Sequence, residues 1–90
     1  MKGFSAKSLQ EIQSALDMTP QNNPHFHMTI SESCLEASFG YGEGVQIHFR
    51  EGKYIRTRHL ERSTIVDECE DEAQSIAWFI QCARWGKRSF

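Results

Sequence analysis

Two hydrophobic periods divide the chain. Leu9, Ile12 and Leu16 fall on one stripe at helical spacing, with Gln10, Glu11 and Gln13 turned to water. Ser5 or Ser8 caps this helix: Ser8 with Glu11 makes a capping box, whereas Ser5 lets Phe4 staple onto Leu9. The segment Thr19-Pro20-Gln21-Asn22-Asn23-Pro24 ends it, because proline lacks an amide proton and biases its predecessor away from the α region. From there the period becomes two. Phe26, Met28 and Ile30 alternate with polar residues, as do Leu35, Ala37, Phe39 and Tyr41, and, after Gly42-Glu43-Gly44, Val45, Ile47 and Phe49. Three half-buried strands are predicted.

A fourth strand depends on its register. A two-residue turn at Glu51-Gly52 would pair Phe49 with Tyr54 and Ile47 with Arg56, placing Arg56 and Arg58 on the core face at a desolvation cost. A three-residue loop, Arg50-Glu51-Gly52, with Gly52 left-handed as a bulge, avoids this. Ile55 and Thr57 then turn inward, and Tyr54, Arg56 and Arg58 turn outward beside His48. A closing helix is expected from a Ser63 or Thr64 cap. The acidic run Asp67, Glu68, Glu70, Asp71 and Glu72 suits the positive end of its dipole, and Arg84, Lys87 and Arg88 suit the other. Ala73, Ile76, Ala77, Ile80 and Ala83 form its core stripe, and Trp78, Cys82 and Trp85 a second stripe. The expected fold is α+β: a four-stranded antiparallel meander with N- and C-terminal helices packed on one face, αββββα.

Length and composition keep this to one domain, residues 1–90. The 39% hydrophobic content supplies one modest core, and the net charge of -2 excludes a histone-like polycation. No apolar run approaches the roughly 20 residues that span a membrane. The start MKGFSAKSLQEIQ has no apolar segment that would serve as a secretion signal, and Cys34, Cys69 and Cys82 form no CxxC pair. The expectation is a reduced, cytosolic protein without membrane attachment.

Three chemistries compete for the polar residues. The expected outer sheet face gathers His48, Tyr54, Arg56 and Arg58, a basic surface with an aromatic that suits either acids on a protein partner or phosphates and a stacked base. His25, His27 and His48 have the residue types of a metal or small-ligand site, with no carboxylate or cysteine at diagnostic spacing to complete it. The run Asp67, Glu68, Glu70, Asp71 and Glu72 either matches a helix dipole or mimics phosphates. Trp78 and Trp85 exceed what a small core easily absorbs, and tryptophan favours interface hot spots. Trp85 is expected to be exposed, for a partner or a homodimer. Cys69 and Cys82 look packed within the helix, no base activates Cys34, and no catalytic pair emerges. A non-enzymatic protein without cofactors is expected.

Gly52, Lys53, Arg58, Ser75, Trp78 and Phe79 place a Gly-Lys turn, a basic strand and a helix with a Trp-Phe pair in one order. In this the C-terminal half resembles some small phage-encoded anti-CRISPR proteins, with a longer spacing between the strand and Trp78. The resemblance implies a stoichiometric inhibitor that binds a host or mobile-element protein or nucleoprotein complex through charged surface residues. The alternatives are a nucleic-acid-binding domain using the basic sheet and a metal- or small-ligand-binding module.

Overall fold

A computed structural model describes residues 3–89. Its elements are α1 (Ala6–Asp17), β1 (His27–Ile30), β2 (Cys34–Gly40), β3 (Glu43–Arg50), β4 (Lys53–His59), β5 (Thr64–Cys69) and α2 (Glu72–Arg88). The strands form one antiparallel sheet in chain order, β1-β2-β3-β4-β5. The α+β class is as expected; the sheet has five strands rather than four.

The fifth strand occupies residues expected to begin the last helix. Thr64-Ile65-Val66 is a β-branched run, and such side chains suit a pleated surface better than a helix. A short loop, closed by the Leu60 amide donating to the Ser63 carbonyl at 2.8 Å, folds it back on β4. The helix starts later, where Asp71 accepts from the Gln74 amide as N-cap and only Glu72 of the acidic run lies in the first turn.

The β3–β4 register also differs from the expected one and is that of the two-residue turn. Phe49 pairs with Tyr54, Ile47 with Arg56 and Val45 with Arg58. Glu51 and Gly52 form a two-residue turn with φ of 54° and 80°, both in the left-handed region that matches the twist of a tight hairpin. The β2–β3 turn is built alike on Tyr41 (φ 58°) and Gly42 (φ 77°), so Tyr41 lies exposed in the turn and not on a strand's inner face. Ile55 and Thr57 therefore point to the open face, and Tyr54, Arg56 and Arg58 to the helix face.

The core lies between that face and the helices. Leu35, Ala37, Phe39, Val45 and Ile47 are buried beneath Ile76, Phe79 and Ala83 of α2, with Ile12 and Leu16 of α1 beside them. Ser5 caps α1 and Phe4 is buried, as one of the two expected caps required. The inner stripe of α2 is rotated from the expected one. Ala73 and Ala77 are exposed, while Ser75, Phe79 and Gly86 face inward with Ile76 and Ala83. A Cβ at Gly86 would stand 2.2 Å from the Phe39 ring, so glycine is what lets that ring seat against the helix.

The helix ends are tied to the body. Asn22 and Asn23 amides donate to the Lys87 carbonyl at 2.9 and 3.1 Å, and Asn23 Nδ2 reaches the Gly86 and Phe39 carbonyls. Asn22 Nδ2 reaches the Arg88 carbonyl, so the α2 carbonyls that lack intrahelical donors find them in the α1–β1 loop. At the other end the Glu72 carboxylate accepts from the Ser5 amide at 2.8 Å and the Ser8 hydroxyl at 2.6 Å, closing the start of α1 from a different helix. The two helices thus run parallel, with their C-termini together.

Candidate functional site

Helix α2 packs mainly on β3; the inner residues Leu35, Ala37, Phe39, Val45 and Ile47 of β2 and β3 are buried, whereas Arg56 and Arg58 of β4 are half-buried and Ile65 and Asp67 of β5 exposed. The inner face of the last two strands is therefore left partly open, and β4 fills it with arginines. The Arg56 guanidinium lies 5.0 Å from the centre of the Trp78 ring and makes a two-point ion pair with Asp67 on β5, at 2.7 and 2.9 Å. That pairing holds the Asp67 carboxyl below the usual carboxylate range and raises Arg56 further. Arg58 sits 5.2 Å from the Phe39 ring and 5.5 Å from Trp85, and donates to the Gly44 carbonyl at 3.1 Å. Unlike Arg56, it has no carboxylate partner among the described residues.

Arg56 and Arg58 were expected on the outer face, where they would be solvated. They lie instead along the margin of α2, where each aliphatic stem covers apolar surface and each guanidinium stacks on an indole. Trp78, Cys82 and Trp85 are the stripe above them, as the helical spacing implied. Trp78 and Cys82 are half-buried, whereas Trp85 is 54% exposed, in line with expectation. Burial also raises the Cys82 thiol pKa, so it resists ionisation.

Topology collects other apolar side chains near Trp85. The C-terminal ends of both helices, the Tyr41-Gly42 turn and the β4–β5 loop share one end of the molecule. Met18, Tyr41, Leu60 and Ile65 are exposed there, and Ile65 pairs directly with Arg58. Behind Trp85 a recess of about 500 Å³ is lined by Glu11, Ala77, Ile80, Arg84 and Arg88. Arg84 and Arg88, like Arg58, have no acid partner among the described residues. Arg58, Trp85, Ile65 and this recess form the candidate site. Ile65 was hidden from sequence reasoning by its assignment to a helix; its β-branched run was the available signal.

Comparison with models of known protein families, with curated proteins and with solved structures returns no match.

The remaining residues expected at a site are dispersed. Tyr54 is buried, not exposed, and donates to the Gly3 carbonyl at 3.0 Å; burial, then Glu72 and Asp71, raises its pKa. Glu68 lies on the open face, paired with Lys53 at 3.2 Å. Glu70 is exposed in the turn before α2, where Asp71 caps and Glu72 ties down α1. The acidic run is thus split between two sheet faces and a helix start. His48 is on the open face between Cys34 and Ile55, whereas His27 pairs with Ser38 on the far side of β2. His25 precedes β1, edge-on to Tyr41. Among the described residues no group of three or more His, Cys, Asp or Glu is placed to hold a metal ion. Cys69 ends β5 and is not in the helix.

Proposed function

We propose that this chain is a small non-enzymatic binding protein that engages a protein or nucleoprotein complex through the Trp85 end. In its most concrete form it is a stoichiometric inhibitor, as the resemblance to anti-CRISPR proteins implies. The observation that carries the reading is Trp85 itself, 54% exposed on a helix whose other face is packed, beside an arginine with no acid partner among the described residues. Tryptophan and arginine are the residues most often found where binding energy concentrates. Of the residues behind the resemblance, Arg58 and Trp78 line this margin, while Ser75 and Phe79 are buried.

The experiment is affinity capture from the cell of origin with the wild-type chain and Trp85→Ala at equal loading. A protein recovered with the wild type and lost with the variant is expected. Equal recovery of the same proteins by both refutes this surface. The recovered complex is then titrated with the chain. Inhibition should level off at a fixed molar ratio, and loss of target activity at small substoichiometric amounts would point to an enzyme instead.

A further inference from the structure

We infer that the Arg58–Trp85 surface recognises a carboxylate on an apolar-flanked segment of a different protein; the inference rests on the binding reading above and adds the chemistry of the partner. Arg56 shows what this environment does with a guanidinium when an acid is at hand: it forms the two-point pair with Asp67. Arg58 occupies the equivalent place two residues along the same strand, and its cross-strand neighbour is Ile65 instead of an acid. Its head group is nevertheless held, between the Phe39 and Trp85 rings and by the Gly44 carbonyl. A guanidinium ordered in advance loses little side-chain entropy on binding, so a carboxylate docking there gains the pair without the usual ordering cost.

The neighbours define the rest of the ligand. Exposed Trp85 and Ile65 flank Arg58 and offer apolar contact on both sides of the incoming acid. Arg84 and Arg88, on the far side of the indole, extend the positive field with no acid partner among the described residues. A second copy is a poor occupant, because a two-fold axis through Trp85 would bring the unpaired arginines of both chains together. A nucleic-acid backbone is also disfavoured. The positive patch is small on a chain of net charge -2 and offers too few cations to follow a run of successive phosphates.

The test is selection from a random linear peptide library displayed against the immobilised full-length chain in physiological salt. Enriched peptides are resynthesised and their binding measured. Asp or Glu beside an apolar residue is the expected consensus, with affinity falling about tenfold or more on Arg58→Ala and on Trp85→Ala. Arg58→Lys should lose most of this too, since lysine keeps the charge but not the planar fork. Arg84→Ala with Arg88→Ala, which remove side chains with no hydrogen bond or ion pair among the described residues and leave the Arg88 carbonyl in place, should weaken binding with the melting temperature nearly unchanged, which separates recognition from unfolding. No enrichment, a consensus without acids, or winners indifferent to Arg58→Ala overturns the inference; Trp85-dependent capture from cells would still uphold the broader reading. Binding of single-stranded oligo-dT in the same salt, in competition with the peptides, assigns the surface to nucleic acid and overturns it. So does a dimer in sedimentation at micromolar concentration that Trp85→Ala dissolves.

Discussion

The inner face of the sheet is built in two ways. Under α2, β2 and β3 present Leu35, Ala37, Phe39, Val45 and Ile47, each 4% exposed or less. On the same face, β4 and β5 present Arg56, Arg58, Ile65 and Asp67, and all of them keep contact with water. The two halves share a sheet, a register and a covering helix. They differ in how far α2 reaches. Where the helix lies squarely on the strands, only apolar shape fits; where its edge hangs over, a long side chain with an apolar stem and a charged head satisfies both environments. One half holds the molecule together and the other keeps its side chains in contact with water.

The largest expected effects test whether the covered half is the true core. Phe79→Ala should cost about 3–5 kcal/mol and Ile47→Ala about 2–4 kcal/mol in denaturant unfolding, because both side chains are fully buried. If Arg58→Ala costs as much, the open half is core as well and the comparison fails. Its expected cost is about 1–2 kcal/mol, the loss of two ring contacts and of stem packing.

A smaller effect belongs to the ion pair. A double-mutant cycle on Arg56 and Asp67 should give a coupling of about 1 kcal/mol or less, since the Asp67 side chain is 53% exposed and water screens it. The folded pKa of Asp67 is depressed, so this contribution is full above the unfolded value of about 3.9 and fades as pH falls through the lower folded value. Repeating the cycle well below pH 3 should abolish the coupling; a coupling that persists there would mean that packing, not charge, joins the pair. Smallest of all, Ser75→Ala should be neutral or stabilise by up to about 1 kcal/mol. The Ser75 hydroxyl is buried without a hydrogen-bond partner among the described residues, and its removal leaves none of their groups unmet. A clear loss of stability would show that the covered half contains a polar contact after all.

The two errors of sequence reading have one origin. Reading residues 64–69 as helix removed Asp67 from beside β4. Without that acid an inward Arg56 is costly, which favours a three-residue loop over the two-residue turn at Glu51-Gly52, slips the strand by one residue and turns it over. With β5 in place, the Gly-containing tight turn that local chemistry favours is also the one the pairing requires. The acidic residues misled for a related reason: a run of acids matches a helix start in general, but here a single cap, Asp71, and one first-turn acid, Glu72, perform that task.

What the sequence determined by itself was local: two helices, three amphipathic strands, a serine cap at Ser5 or Ser8, the stop at Thr19-Pro20 and the Trp78-Trp85 stripe. Each rests on a period or a backbone preference that acts over a few residues. The tertiary structure alone decided which way β4 faces, whether Asp67 belongs to a strand, and that Asn23 ties the α1–β1 loop to the end of α2. Those outcomes depend on how far α2 extends over the sheet. The cost of an inward arginine is set by what lies opposite it, and no spacing along the chain carries that information.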